Sequence, residues 1–121
     1  MGFDIYGEAS ERECGEYFRN NVWWWRPLSG IIESLCDHVL DDDQKRYLHT
    51  NDGCLYDNQT AKDIADILEE NEDRWEGIAK IVQAELQFHL KDGSVVDYPY
   101  DASNVKEFIQ FARYSGGFKI C

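Results

Sequence analysis

What this sequence lacks narrows it first. Its 121 residues include two prolines, one methionine and no Cys-x-x-Cys pair. The four cysteines, at 14, 36, 54 and 121, therefore make neither a zinc knuckle nor the dense framework of a small secreted scaffold, and a reducing compartment is expected. No charged-then-apolar leader opens the chain, and no apolar run approaches the roughly 20 residues of a membrane span, so a cytoplasmic protein without membrane contact is expected. There is no glycine-rich phosphate loop and no serine-centred nucleophile elbow. Asp41-Asp42-Asp43 lacks the alternating oxygens and the glycine of a calcium loop. Positive charge is scarce: 12 Lys and Arg stand against 24 Asp and Glu, a net charge of −12. Such a field repels phosphate backbones and argues against direct, broad-surface binding to DNA or RNA.

What is present is enough for one core. At 43% hydrophobic and 14% aromatic, the chain can bury sufficient apolar surface to fold as a single domain over 1–121 without covalent staples. Phe3-Asp4-Ile5-Tyr6 alternates and predicts a strand with Phe3 and Ile5 inward. A second strand is expected at 17–19, turned by Asn20-Asn21. Pro27 suits a first helical position, so a helix is expected from 27 to about 39, with Leu28, Ile31, Ile32, Leu35, Cys36 and Val39 on one stripe. The acidic run at 41–43 opens a short helix through about His49, and Asn51-Asp52-Gly53 is a turn. Asp57 or Asn58 caps the next helix, whose apolar phase persists from Ala61 to Leu86. An unbroken rod of that length would span about 45 Å, so a break between Asn71 and Gly77 is expected. Residues 84–90 favour helix over strand, and 95–98 a short extended piece. Asp101 or Ser103 caps a last helix that Gly116-Gly117 ends, and Phe118-Lys119-Ile120 closes the chain as a strand paired with the first. The expected class is α+β: a predominantly helical single domain with a small sheet formed by the N- and C-terminal strands.

The densest chemistry lies at 17–28, with Trp23, Trp24 and Trp25 between Arg19 and Arg26. Three consecutive indoles cannot share one face of a helix or strand, so at least one points away from the core. Arginine forks bind carboxylates and phosphates, and indole faces stack on bases, sugars or cations. The expected site is a pocket on Arg19, Asn20, Asn21, Trp24 and Arg26, with His49, Asn51 and Asp52 at its edge. It would take a small anionic or nucleotide-like ligand, or a side chain of a protein partner. The alternative is a non-catalytic inhibitor or adaptor that lays the acids of 57–76 on a basic partner, in imitation of nucleic-acid phosphates; eight acids there oppose Lys62 and Arg74. An enzyme is less favoured. His49, Asp52 and Cys54 could supply a thiol and its base, but one loop rarely holds an orienting group and an oxyanion donor as well. Cys36 and His38, two apart on a helix, point about 200° away from each other and cannot chelate together. No cofactor, metal ligand set or catalytic residue is therefore expected.

Several stretches carry a resemblance: Met1-Gly2-Phe3-Asp4-Ile5-Tyr6-Gly7, Tyr17-Phe18-Arg19-Asn20-Asn21-Val22-Trp23-Trp24-Trp25-Arg26-Pro27-Leu28, Asn51-Asp52-Gly53, and Ser115-Gly116-Gly117-Phe118-Lys119-Ile120-Cys121. Together they resemble a family of small uncharacterised proteins from bacterial and bacteriophage genomes. The resemblance covers both ends and the first half of the chain, and not 72–100. It implies a setting, a phage or mobile-element accessory protein, and brings no catalytic residue with it. It also implies that the aromatic stretch, the Asn-Asp-Gly turn and the two chain ends form one cluster.

Overall fold

The structure, a computed structural model, describes residues 2–88 and 98–121, apart from the side chains of Gln87 and Phe88. Strand β1, Gly2–Gly7, buries Phe3 and Ile5 and turns Asp4 and Tyr6 outward. It lies between β2, Tyr17–Asn21, and β4, Phe118–Ile120. A further strand β3, Cys54–Tyr56, completes an antiparallel sheet in the order β2-β1-β4-β3. Ile5 stands opposite both Phe18 and Ile120, and Tyr56 opposite Phe118, so one face collects the large apolar side chains. The expected pairing of the chain ends is therefore present. Cys121 N–H donates to the Asp4 carbonyl at 2.7 Å and binds the terminus to β1.

Helices cover that inner face. Helix α1, Val22–Cys36, contributes Trp25, Leu28, Ile31, Ile32 and Leu35, and a single 3-10 turn at Asp37–Val39 extends it. Helix α2, Asp42–Tyr47, is short and opened by a capping box in which Asp41 accepts from Gln44 N–H. Helix α3, Asn58–Glu70, is capped by Asp57 and buries Ala61, Ile64, Ala65 and Leu68. Helix α4, Trp75–Phe88, follows a 3-10 turn at Glu72–Arg74, which is the expected break. Trp75 is buried there and donates its indole N–H to the Leu68 carbonyl at 2.9 Å, which closes the end of α3 against the start of α4. Helix α5, Ala102–Tyr114, is capped by Asp101 and places Phe108 and Phe111 on Phe18 and Phe118. Gly116 and Gly117 then take positive φ of 70° and 100°, which glycine adopts without a Cβ penalty, and turn the chain into β4.

Two expectations are corrected. Asn20-Asn21 is no turn: β2 runs directly into α1, and the Asn21 side chain caps the helix by accepting from Trp24 N–H at 3.1 Å. Pro27 is thus the sixth helical residue instead of the first. A proline there leaves the Trp23 carbonyl without its helical donor, while the Pro27 ring itself is buried in the core. β3 was not expected at all. The piece expected over 95–98 lies, but for its last residue, outside the described residues.

Gly30 sets how closely α1 and α4 approach. A Cβ at that position would lie 2.6 Å from one Val82 methyl and 2.9 Å from the other. Gly30→Ala should therefore destabilise by about 1–3 kcal/mol through overpacking. In a Val82→Ala background the same change should instead be neutral, or stabilise by up to about 1 kcal/mol through helix propensity; urea unfolding of the four-member cycle measures both. A second expectation concerns acid. The backbone N–H of Thr60, donated to Asp57, holds that carboxyl below its ordinary 3.8. A depressed folded-state value stabilises above the unfolded value and is lost as pH falls through the folded one. Melting temperature should consequently fall more steeply below about pH 4 in the wild type than in Asp57→Asn, whose amide caps without titrating.

Candidate functional site

Helical geometry distributes the aromatic-arginine stretch. Successive residues turn by about 100°, so Trp23 to Arg26 point in four directions around the first turns of α1. Trp25 is fully buried, stacked on Phe3 with ring centroids 5.6 Å apart, and its indole N–H donates to the Leu48 carbonyl at 3.0 Å. Trp23 is 45% exposed and lies against Tyr98 at 5.3 Å. Trp24 is half-buried and lines a concavity of about 590 Å³ with Arg19, Asn20, Asn21, Ser103, Asn104 and Glu107. Arg26 is half-buried on the opposite flank.

The first concavity sits where β2 ends and both α1 and α5 begin. Asn20 and Asn104 exchange side-chain amide bonds, 3.0 Å one way and 2.9 Å the other, and so hold the two helix starts side by side. Asn20 spends its other amide hydrogen on the Arg19 carbonyl, while among the described residues the second amide hydrogen of Asn104 has no acceptor. Arg19 Nε lies 3.4 Å from Asp4, and both side chains are well exposed. Tyr17 also donates to Asp4, and that bond raises the phenol above its ordinary value.

The second concavity, about 700 Å³, runs between α1 and α4. Arg26, Glu33, Asp37 and His49 line one wall, and Ile78, Ile81, Val82 and Leu86 the floor. His49 is held at both ring nitrogens: Nδ1 is 2.8 Å from Ser29 Oγ, and Nε2 meets Glu33. The Ser29 hydroxyl in turn donates to the Arg26 carbonyl at 3.2 Å, so serine, imidazole and carboxylate form one chain of contacts. Serine, histidine and carboxylate in a row have the composition of a nucleophile with its base. Here, however, Ser29 is fully buried in mid-helix, where the neighbouring backbone N–H groups lie within the helical ladder and do not converge on its hydroxyl as oxyanion donors must. The row is a latch that pins the chain after α2 onto α1.

The expected site is thus split. Arg19, Asn20, Asn21 and Trp24 come together; Arg26 and His49 line the other flank of α1; Asn51 and Asp52 are exposed and line neither concavity. His49 has no nitrogen left for Cys54, so the thiol–base pair does not assemble. Sequence reasoning missed Ser103, Asn104 and Glu107, which no local pattern ties to Trp24. It also missed the groove floor, for which a signal existed: Ile81 falls out of phase with the core stripe of α4. Among the described residues, no group of three or more His, Cys, Asp or Glu is placed to hold a metal ion, and no helix is long and apolar enough to cross a membrane. No family model, curated protein or solved structure matches the chain.

The thiols differ in environment. Burial pushes Cys36 up to about 12 and also raises Cys54, whereas Cys14 and Cys121 are exposed. At pH 8, iodoacetamide followed by mass spectrometry should label Cys14 and Cys121 first, and Cys36 only when the protein unfolds.

Proposed function

We propose that this protein is a non-enzymatic binding module for a small anionic, nucleotide-like ligand, taken in the concavity where β2 meets the starts of α1 and α5. One observation carries it: in a chain of net charge −12, Arg19, two helix N-terminal ends and a half-exposed indole converge on one space. Helix starts present partial positive charge, although Asn21 and Asp101 already accept from one first-turn N–H each. Trp24 offers a face for a planar base, and Arg19 a fork for a phosphate or carboxylate. The second Asn104 amide hydrogen and the Glu107 carboxylate suit the polar edge of a base or a sugar hydroxyl. The resemblance of the 17–28 motif supports a bacterial or bacteriophage accessory role for such a module.

The rival use, an acidic face on 57–76 for a basic partner, has less behind it. Asp66 and Glu69 both accept from Arg113, at 2.9 and 2.6 Å. Glu72 pairs with Lys106, Glu76 with Lys80, Asp63 with Gln59, and Asp57 caps α3. Glu70 and Asp73 remain without such a partner among the described residues. A row of carboxylates turned onto its own cations imitates a phosphate strand poorly.

Calorimetry against mononucleotides, nucleosides and inorganic phosphate tests the proposal. A mononucleotide should bind, and both Arg19→Gln and Trp24→Leu should weaken it about tenfold or more, the worth of a charge-assisted hydrogen bond or a stacked ring. Absence of binding by the whole panel, or full affinity in both variants at unchanged fold, would overturn it.

A further inference from the structure

We propose that the groove between α1 and α4 is a docking site for a basic amphipathic helix of a protein partner, independently of any ligand held beside Trp24. Among the described residues, its floor is apolar and uncovered. Ile78, Ile81, Val82 and Leu86 are spaced along one side of α4, and Ile81, at 61% exposure, is the most exposed of the large apolar side chains among the described residues. A soluble helix ordinarily turns such a residue inward.

The groove is elongated. Along α1 and onto the 3-10 turn that follows it, the lining runs from Arg26 through Gly30, Glu33 and Ser34 to Asp37, about 16 Å at 1.5 Å per residue. On α4 it runs from Ile78 to Leu86, about 12 Å. A trough of that length between two helical ridges accommodates two to three turns of a third helix, whose anchors at i, i+3 or i+4, and i+7 would meet the floor. A compact small molecule would leave much of it unfilled.

Charge selects the partner. The rim carries Glu33, Asp37 and Glu85 against Arg26, with Lys45 offsetting Asp37 and His49 in contact with Glu33, in a chain whose net charge is −12. A cationic occupant is drawn in by this field. A second copy of the chain would bring a further −12 toward the first, so self-docking through this face is disfavoured.

Fluorescence anisotropy with a labelled Leu/Lys peptide of about four helical turns, its leucines at i, i+3, i+4 and i+7, tests the assignment. The wild type should bind it, with affinity falling as salt rises from about 0.05 to 0.3 M. Ile81→Asn, which changes no charge, should weaken binding about tenfold or more, and Glu85→Gln by a smaller factor. Glu70→Gln with Asp73→Gln, which removes two charges from the outward side of the 3-10 turn region, should leave it unchanged. Equal binding of a scrambled peptide of the same composition, or full binding by Ile81→Asn, would show attraction by bulk charge alone and overturn the proposal. Sedimentation showing a dimer that Ile81→Asn dissolves would overturn it in favour of a second copy. Because neither Ile81 nor Glu85 touches the concavity beside Trp24, loss of one binding event is read separately from loss of the other.

Discussion

The indole of Trp25 decides how everything around α1 faces. It is fully enclosed, stacked on Phe3 of β1, edge-on to Phe108 of α5, and hydrogen-bonded to the Leu48 carbonyl beyond α2. Those partners come from three separated parts of the chain, so the ring can rotate out only by giving up contacts with all of them. A large aromatic residue buried this way accounts for several kilocalories per mole, about 3–5 on truncation. Once Trp25 points inward, the roughly 100° step per residue leaves no freedom for its neighbours. Trp24 must turn toward α5, Arg26 toward α4, and Trp23 outward onto Tyr98.

The junction between β2 and α1 reinforces this. With no loop between strand and helix, a shift in the start of α1 would break the cap that Asn21 makes on Trp24 or the ladder that pairs Asn20 with Phe3. Asn20 and Asn104 then fasten the start of α5 to the same point. His49, between Ser29 and Glu33, fastens the other end of the neighbourhood. The positions of both concavities therefore follow from a few buried or half-buried contacts.

Much of this fold was legible from residue patterns, for identifiable reasons. Phe3 and Ile5, and Phe118 and Ile120, are period-2 pairs at the chain ends, and two half-buried edges of one type have each other as natural partners. Asp57 and Asp101 are caps with a mechanism, and the continuous phase from Ala61 to Leu86 could not be one rod in so small a domain. The start of α1 was hidden because Pro27 carries a strong local preference that a tertiary contact, Trp25 in the core, overrides. β3 was hidden because three residues, with Leu55 51% exposed, carry too little alternation to signal a strand; it exists because β4 offers it an edge. Asn104 stands 84 residues from Asn20, and no local pattern announces a contact of that separation. Arg26 was grouped with Arg19 because the two are near in sequence, whereas the helix sends them to different flanks.

The same helix that separates these flanks also separates their chemistry. On one side, Arg19, Trp24 and Glu107 line the space at the capped starts of α1 and α5; on the other, Glu33, Asp37 and Glu85 rim an apolar floor. Coupling between them would require two arrangements of α1 with different affinities for an occupant. The structure opposes a second arrangement: Trp25 is gripped from three elements, and Gly30 is packed against Val82 so closely that not even a methyl group fits. A helix immobilised at its first turn and at its middle acts as a wall. What occupies one flank should leave the other unaware, so the two surfaces can be selected for different partners without compromise between them.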